Sequence, residues 1–360
     1  MEAIMRQIHD FAPSETNRRN SEGAFYRRWD GNIGFVYSKF LDGCEDFSRS
    51  VIAEAVLSPD GTELLDGERI LFTAAQFSAQ NVMCASFVNM PDGRLLLFFC
   101  VRYGGGHLNP WLYESYDGGQ TFVNGREILS GLRYVPAEND RAILTRDGSI
   151  ILALYELDRM EGRYAGIGGP SRCIFLRSED GGRSFTESEA YYCPDPSLKS
   201  GIQENGVVQS DDGTIMAYAR TDGGYQCVAY SYDDGRTFSP FEASDIFISP
   251  CSPMTVSRLA DGRIIAVYND HVPTEQELKS GIVNTWSGRS PLVYRTSRDL
   301  KNWSDPVTLE PRCQTKNYCY TGVFSTDEFV LLGYCASDTV TDGGTLNRLR
   351  ISRLTLGEIK

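Results

Sequence analysis

Short apolar runs separated by Asp-Gly turns recur along the whole chain. An Asp-Gly pair between two β-rich runs is a strong signal for a β-hairpin. Six copies occur, of which the last has lost its glycine: RWDGNIGFVY, PDGRLLLFF, RDGSIILALY, DDGTIMAYA, ADGRIIAVY and STDEFVLLGY, which begin at Arg28, Pro91, Arg146, Asp211, Ala260 and Ser325. Six such hairpins at irregular spacing predict an all-β fold, a six-bladed β-propeller with four strands in each blade.

A second motif follows the third strand of several units. The pattern S-x-D-x-G-x-[TS]-F, the Asp-box, occupies residues 115–122, 178–185 and 231–238, and a degraded copy occupies residues 297–303. Its Ser and Asp side chains can hydrogen-bond the N–H groups of the turn, and its second glycine can adopt a positive φ. We therefore expect the Asp-box aspartates to be structural and the Asp-box hairpins to mark the blades.

The chain is expected to form a single domain over residues 1–360. No low-complexity linker divides it, and two looser stretches, residues 163–170 and 279–290, fit loops between strands. About the first 20 residues are expected to be peripheral, as chain termini often are. The C-terminal segment NRLRISRLTL is predicted to be a strand that closes the ring beside the N-terminal blade.

The chain is acidic, with 48 Asp and Glu against 35 Lys and Arg and a formal net charge of −13. Such a surface repels nucleic acid and anionic membranes, so neither is expected as a partner. No apolar run approaches the length of a membrane span. The N-terminal sequence MEAIMRQIHDFAPSE has no apolar signal core, which predicts a cytoplasmic protein, or a secreted one if a leader was trimmed.

The ten cysteines are not arranged as metal ligands. No C-x-x-C pair occurs and the chain has only three histidines, so no zinc site, other metal or cofactor is expected. Several cysteines lie inside apolar runs, such as Cys100 in LLLFFCV and Cys335 in VLLGYC. We interpret them as reduced core thiols of a cytosolic protein.

Over about residues 20–356, the Asp-boxes and Asp-Gly hairpins resemble those of the sialidase/neuraminidase superfamily (BNR/Asp-box repeat proteins), and the chain looks like a divergent member. The segment ENGVVQSDDGTIMAYAR, from Glu204 to Arg220, is similar to the blade that carries a glutamate and then an arginine. The resemblance implies that Glu204 activates a tyrosine nucleophile and that Arg220 belongs to a triad that binds the sialic acid carboxylate. The motif RSPLVYRTS resembles the family's R-x-x-L-x-x-R-x-S and nominates Arg289 as another triad member.

The nucleophile is expected on the inner strand of the last blade. The segment YCYTGVF resembles the family's Y-S-x-L strand, and Tyr318 fits by its distance from the following turn. Tyr320 lies two residues further on, so it shares a strand face with Tyr318 and remains an alternative. A glutamate beside a tyrosine can take the phenol proton, and a neutral nucleophile avoids repulsion from an anionic sugar.

Two features of the family are absent where the motifs are counted. Counting back from the Asp-Gly turn at Pro91 puts Met83 or Cys84 in the place of the family's first arginine, and no arginine occurs between Arg69 and Arg94. The loop before the first Asp-box, residues 102–111, has no carboxylate where the family has its catalytic aspartate.

Other polar residues near inner strands could replace these two features, because inner strands line the channel of a propeller. His107 suits a general acid, since the pKa of imidazole lies near neutrality. The charges of residues 138–141, E-N-D-R, need partners or a function if they are buried, and Glu22 precedes the first hairpin. The candidates for the acid are Asp140, Asp270, Glu138 and His107, and those for substrate binding are Arg141, Glu138, His271 and Arg102.

These features predict an exo-glycoside hydrolase that releases a terminal sialic acid or a related acidic sugar with retention, with a small-molecule glycan as its partner. One alternative is a non-catalytic carbohydrate-binding propeller, which the missing aspartate favours. Another is a hydrolase or lyase for a different sugar on the same scaffold. A glutamate–tyrosine pair argues for an enzyme, because a sugar-binding protein needs no nucleophile.

Overall fold

The computed structural model describes residues 3–104, 106–159, 167–279 and 288–360. Six antiparallel sheets of four strands form a closed ring of blades, which confirms the predicted six-bladed β-propeller. Parts of the two stretches expected to be loops, residues 163–166 and 280–287, lie outside the described residues.

The first three blades follow one another along the chain, each running from an inner to an outer strand. Blade 1 contains β2 (Arg19–Arg27), β3 (Ile33–Phe40), β4 (Ser50–Leu57) and β5 (Leu64–Thr73). Blade 2 contains β6 (Asn81–Asn89), β7 (Leu95–Gly104), β8 (His107–Ser115) and β9 (Val123–Glu127). Blade 3 contains β10 (Ala142–Leu144), β11 (Ile150–Arg159), β12 (Ile167–Ser178) and β13 (Thr186–Glu187).

The remaining blades complete the ring. Blade 4 contains β14 (Gln203–Gln209), β15 (Ile215–Arg220), β16 (Tyr225–Ser231) and β17 (Glu242–Ile248). Blade 5 contains β18 (Thr255–Arg258), β19 (Ile264–Tyr268), β20 (Leu292–Ser297) and β21 (Val307–Glu310). Blade 6 contains β22 (Lys316–Ser325), β23 (Phe329–Asp338), β24 (Leu349–Thr355) and, as its outer strand, β1 (Arg6–Phe11).

The two ends of the chain meet in blade 6. The N-terminal strand β1 pairs antiparallel with β24, with Arg6 opposite Arg353 and Phe11 opposite Leu349. Residues 6–11, expected to be peripheral, thus supply a strand of the ring. The C-terminal segment lies one strand further in, and the ring closes by pairing of both termini within one sheet.

Helical structure is sparse in the described part of the chain. One α-helix, α1 (Glu275–Lys279), lies in blade 5, and two short 3₁₀ segments occupy Ala74–Phe77 and Leu356–Glu358. No helix among the described residues is long and apolar enough to cross a membrane. The same residues include no group of three or more His, Cys, Asp or Glu side chains placed to hold a metal ion.

The core consists of apolar clusters between neighbouring blades. Phe25, Phe35 and Leu331, for example, belong to one cluster between blades 1 and 6, in which the Phe25 and Phe35 ring centroids are 4.4 Å apart. Each pair of adjacent blades shares such a cluster. Burial of apolar side chains on both faces of each sheet therefore holds the ring together.

The Asp-boxes have the structural role expected of them. In the first box, Ser115 Oγ accepts a hydrogen bond from Gly119 N at 2.7 Å, and Asp117 Oδ1 accepts one from Thr121 N at 2.9 Å. The same bonds recur in the boxes of blades 3 and 4. Partial desolvation opposes ionisation of Asp180, but hydrogen bonds from Ser184 and Ser178 outweigh it and lower the pKa of Asp180 to about 2.

A β-bulge interrupts the inner strands at corresponding heights in the channel. The residues at or beside this point have a left-handed backbone: Glu22 (φ 45°), Cys84 (63°), Asp140 (58°), Glu204 (50°) and Tyr320 (55°). In four inner strands the pairing register shifts here. A bulge re-aims the side chain it carries, so the channel receives a set of polar side chains that strict strand alternation would place elsewhere.

Candidate active site

A tyrosine and a glutamate meet inside the channel. The Tyr320 hydroxyl donates a hydrogen bond to Glu204 Oε1 at 2.8 Å, across the channel between blades 6 and 4. Glu204 Oε2 is 2.6 Å from Arg220 Nη1. All three side chains are buried. Burial, followed by the adjacent carboxylate of Glu204, raises the pKa of Tyr320 well above its usual value, so the free protein holds a phenol beside a carboxylate that can accept its proton.

Tyr318, the tyrosine favoured from sequence, is not part of this pair. Its ring packs between blades 5 and 6, with its centroid 6.4 Å from that of Tyr334, and its hydroxyl interacts with Glu310. The two tyrosines were expected to share a face because strand side chains alternate. The bulge after Cys319 breaks that alternation, and Tyr320 alone turns toward Glu204.

Arg289 approaches the same tyrosine from blade 5. Its guanidinium carbon is 5.6 Å from the centroid of the Tyr320 ring. Nη1 donates to Cys319 Sγ and Nη2 to the Cys251 carbonyl, both at 3.2 Å. Among the described residues Arg289 forms no ion pair with a carboxylate, and its Nε has no hydrogen-bond partner there. A buried guanidinium in this state is suited to an anionic ligand.

A third arginine, Arg19, and an aspartate, Asp46, lie beside these residues, and neither was predicted from the sequence. Arg19 starts the inner strand of blade 1 and is fully buried, and its Nη1 is 2.6 Å from Asp46 Oδ1. It also pairs with Glu22. Asp46 lies in the loop between β3 and β4, with its side chain 62% exposed. Crowding by protein atoms opposes ionisation of Asp46, but Arg19 outweighs it, with smaller effects of Arg102 and Arg220, and the pKa is lowered.

The structure therefore places an arginine and an aspartate of blade 1 near the pair of Tyr320 and Glu204, whereas the positions counted in blade 2 hold neither. The motif count started from the Asp-Gly turn at Pro91 and from the first complete Asp-box, and both belong to blade 2. In blade 1 the corresponding turn is shortened to residues 58–62 and has no Asp-box aromatic residue. The usable signal was the turn at Asp30, which Arg19 precedes on the same hairpin.

Tyr320, Glu204 and Asp46 line a cavity of about 50 Å³. That is room for a few water molecules, and it forms the floor beneath the open mouth at Asp46. Its lining combines four acidic residues with tyrosines and apolar residues: Glu22, Asp46, Glu138, Glu204, Tyr134, Tyr155, Tyr320, Met83, Cys84, Cys100, Leu108 and Pro136. Met83 and Cys84 thus belong to the pocket wall, in blade 2, next to the blade that carries Arg19.

Glu138, expected as an acid or a binding residue, lies in this floor. It accepts hydrogen bonds from the Tyr155 hydroxyl at 3.3 Å and from Cys84 Sγ at 3.4 Å. Burial, followed by the nearby carboxylates of Glu204 and Glu22, raises the pKa of Glu138 well above its usual value. Arg141 and Arg220 act in the opposite direction but do not outweigh these effects, and a raised pKa favours the protonated carboxyl group.

The rest of the E-N-D-R segment crosses the channel below the floor. Asn139 Nδ2 donates to the carbonyls of Gly23 in blade 1 and Tyr320 in blade 6, at 2.7 and 3.1 Å. Asp140 Oδ2 accepts from Val323 N at 3.0 Å. The segment therefore ties blade 3 to the opposite side of the ring and supports the backbone of Tyr320.

Asp140 and Arg141 are consequently corrected as site residues. Asp140 lines a separate cavity of about 510 Å³ at the other end of the channel. Arg141 is buried, and it donates to the Met254 carbonyl at 2.9 Å, to the Tyr218 hydroxyl at 3.2 Å and to Thr255 Oγ1 at 3.3 Å. The Arg141 guanidinium is thus bonded to blades 4 and 5, and Arg141 does not line the cavity that contains Tyr320 and Glu204.

Two further candidates lie outside the cavity in blade 5. Asp270 interacts with the hydroxyl of Tyr268. The Tyr268 ring packs between blades 4 and 5. His271 Nε2 is 3.0 Å from Glu277 Oε2 and 3.1 Å from an Arg312 guanidinium nitrogen. These local contacts account for both residues without a role in the cavity.

The blade 2 candidates differ in their distance from the site. The His107 ring stacks on Tyr103, with centroids 4.5 Å apart, and does not line the cavity, so it is not placed as the general acid. Arg102 donates a hydrogen bond to the hydroxyl of the cavity residue Tyr134 at 3.0 Å. Its positive charge also helps to lower the pKa of Asp46. Arg102 therefore borders the site behind Tyr134.

Comparison with known proteins agrees with this architecture. A family model described as a BNR repeat-like domain matches residues 60–332. A comparison with curated protein sequences gave no significant match. The fold is similar to that of a Dyadobacter fermentans protein of unknown function, at 16% identity and a TM-score of 0.72, covering 98% of this chain and 99% of that one.

Two sialidase structures have the same fold at low identity. The intramolecular trans-sialidase from Ruminococcus gnavus, in complex with oseltamivir carboxylate, is 12% identical with a TM-score of 0.72, covering 99% of this chain and 98% of that one. The Trypanosoma rangeli sialidase, in complex with the inhibitor DANA, is 14% identical with a TM-score of 0.67, covering 95% of this chain and 55% of that one. The chain therefore belongs to the BNR repeat-like domain family, as a divergent member with the six-bladed propeller fold of the sialidases.

Proposed function

We propose that the protein is a retaining exo-glycoside hydrolase that releases a terminal sialic acid or a related acidic sugar. The observation that carries the proposal is the hydrogen bond between the Tyr320 hydroxyl and Glu204, 2.8 Å long and buried in the channel. A phenol paired with a carboxylate base inside a polar pocket is an activated nucleophile. A protein that only binds a sugar has no need for this pair.

The acidic group of the sugar would bind between three arginines. Arg19, Arg220 and Arg289 reach the cluster from blades 1, 4 and 5. Guanidinium groups bind carboxylates through paired, charge-assisted hydrogen bonds. Arg289 is the strongest argument for an anionic ligand, since it has no carboxylate partner among the described residues and is almost completely buried.

The chemistry would proceed in two displacements. Tyr320 Oη attacks the anomeric carbon while Glu204 takes its proton, and Asp46 donates a proton to the oxygen of the departing group. Water then attacks the anomeric carbon with Asp46 as its base, the bond from that carbon to Tyr320 Oη breaks, and Glu204 returns the proton to Tyr320. Two inversions give net retention, and a tyrosine nucleophile avoids the repulsion between a carboxylate and an anionic sugar.

Substrate binding would also prepare Asp46 as an acid. In the free protein Arg19 holds the pKa of Asp46 low, which is unfavourable for proton donation. A bound carboxylate competes for Arg19 and covers Asp46, which is 62% exposed when free. Both changes raise the pKa of a carboxyl group, so Asp46 would become protonated when the substrate is in place.

The proposal is tested with a methylumbelliferyl α-sialoside and purified protein. Tyr320→Phe, Glu204→Gln and Asp46→Asn are each expected to reduce turnover, by about 100-fold or more for the first two. Tyr318→Phe is the matched control, since it removes a hydroxyl from the same strand outside the cavity, and its kcat should be unchanged.

If the wild-type protein turns over the sialoside and the Tyr320→Phe and Glu204→Gln variants do so at a similar rate, the mechanism is contradicted. Binding of sialic acid without any turnover would instead identify a sugar-binding propeller. Turnover of a neutral glycoside but no sialoside would contradict the assignment of the three arginines to an acidic group.

A further inference from the structure

Two thiols lie opposite each other directly behind the candidate nucleophile. Cys319, the residue before Tyr320 on β22, is paired in register with Cys335 on β23. Both are buried, and all ten cysteines are free thiols in this structure. Directly opposed residues of antiparallel strands have Cα atoms about 4.5–5.5 Å apart, which is within the span of a disulfide.

The two thiols contact the supports of two arginines of the site. Arg289 Nη1 donates to Cys319 Sγ at 3.2 Å. Cys335 Sγ is 3.2 Å from Ser21 Oγ, which accepts a hydrogen bond from Arg19 Nη2 at 3.3 Å. The dithiol thus lies beneath both guanidinium groups, on the side away from the cavity.

Cys319 is the more acidic thiol of the two. Burial opposes ionisation, but the hydrogen bond with Cys335 and the guanidinium of Arg289 outweigh it, so the pKa of Cys319 is lowered. Burial and the neighbouring Cys319 raise the pKa of Cys335. The sulfur that accepts the hydrogen bond from Arg289 therefore belongs to the more acidic thiol, which is the one that reacts first with an oxidant.

We propose that Cys319 is a positioning residue that holds Arg289 in place for the carboxylate of the substrate, and that oxidation of Cys319 with Cys335 by a peroxide releases Arg289 and weakens substrate binding. This inference rests on the proposed function, because it takes the partner of Arg289 to be a substrate carboxylate. A disulfide bond draws the Cys319 sulfur toward Cys335 and away from Arg289 Nη1, so the hydrogen bond that holds the guanidinium is lost.

The oxidation balances without other reactants. The Cys319 thiolate attacks one oxygen of hydrogen peroxide, which breaks the O–O bond, forms a sulfenic acid and releases hydroxide. Cys335 loses its proton to that hydroxide and attacks the Cys319 sulfur, which forms the S–S bond and expels a second hydroxide that is protonated to water. Two thiols and one peroxide become one disulfide and two waters, and a dithiol reductant reverses the change.

The positioning role is tested by binding of DANA and of its methyl ester, which lacks the carboxylate charge. Cys319→Ala is expected to weaken DANA binding by about ten-fold or more, with little change for the ester. Cys319→Ser keeps a hydrogen-bond acceptor and should restore DANA binding to within about three-fold. Cys227→Ala, another buried cysteine on a strand of blade 4, is the control. DANA affinity unchanged in Cys319→Ala would overturn the positioning role.

The switch is tested in a Cys193→Ser background, because Cys193 interacts with Cys227 and forms a competing pair. Peroxide treatment is expected to give a peptide linked through Cys319 and Cys335 in a non-reducing digest, with loss of DANA affinity, and dithiothreitol should reverse both. A linked peptide with unchanged affinity, or no linked peptide after exhaustive treatment, would overturn the switch.

The reduced wild-type protein separates this inference from the proposed function. If it does not bind DANA, the proposed function is contradicted. If it binds DANA, and that binding survives both Cys319→Ala and formation of the disulfide, only the role of the two thiols is contradicted.

Discussion

Replacement of Asp46 by asparagine tests whether this residue is the general acid. The Asp46 carboxyl lies 2.6 Å from Arg19 at the mouth of the cavity. Asparagine keeps an oxygen that can accept the Arg19 hydrogen bond but cannot donate a proton as an acid does. Binding should therefore be preserved while proton donation is lost. General acid catalysis is worth about 100- to 10,000-fold, and that range sets the largest expected loss in kcat.

The size of the loss should depend on the leaving group. Sialyllactose departs as a sugar alkoxide and needs the proton, so we expect Asp46→Asn to lower kcat/KM by roughly 1,000-fold. A methylumbelliferyl group departs as a stable phenolate, so the loss should be only about ten-fold at the first displacement. Both substrates are measured by initial rates at several pH values.

The control is Glu22→Gln, which alters the other carboxylate partner of Arg19 without touching the mouth of the cavity. It should affect both substrates by the same factor. Equal losses for the two substrates in Asp46→Asn would refute the role of Asp46 as the general acid and leave it as a partner of Arg19 alone.

Further predictions concern binding, support and stability. Arg289→Lys should raise KM by about ten-fold with a smaller effect on kcat, since lysine lacks the guanidinium fork; a kcat effect alone would contradict its binding role. Asn139→Ala should lower kcat more than it raises KM, because Asn139 supports the Tyr320 backbone; unchanged kinetics would contradict this. Asp117→Ala should cost about 1–2 kcal/mol in urea unfolding through lost turn hydrogen bonds, with kcat unchanged. The pKa of Asp180 is lowered from 3.8 to about 2, so its stabilising contribution is complete above about pH 4 and lost as the pH falls to 2; the difference in urea midpoint between wild type and Asp180→Asn should shrink over that range.

The fold could be predicted because it depends on local chemistry repeated six times. Asp-Gly turns and Asp-boxes specify their own hairpins through glycine conformations and side-chain hydrogen bonds within a few residues. The outer strand of blade 6 was not recognised. Residues 6–11 have no turn motif, and their place is set by pairing with β24, whose residues lie more than 300 positions away.

The site was predictable only where a motif fixed its position. Glu204 and Arg220 follow from the blade 4 hairpin, which is complete. The sequence does not separate Tyr320 from Tyr318, because alternation on an ideal strand gives no information about a bulge. Arg19 and Asp46 were missed because the blade 1 turn is too short to be recognised as an Asp-box, so the count began one blade late.

The partners of the charged residues in segment 138–141 could not be predicted from the sequence. Its charges do have buried partners, as the cost of desolvation requires. The partners of Asp140 and Arg141 are backbone and hydroxyl groups from blades 4, 5 and 6. Sequence spacing does not contain this information, since the contacts exist only after the ring has closed.

The central claim is that Tyr320 forms a covalent bond to the sugar. A fluorinated sialosyl fluoride is the direct probe, because the ring fluorine slows hydrolysis of the glycosyl-enzyme while the fluoride leaves readily. After brief incubation and digestion, mass spectrometry should find one sugar residue on the peptide that contains Tyr320, at the tyrosine itself, and no adduct on the Tyr320→Phe protein. An adduct on Glu204 or another side chain, or turnover of a sialoside with no trapped tyrosine, would contradict the account.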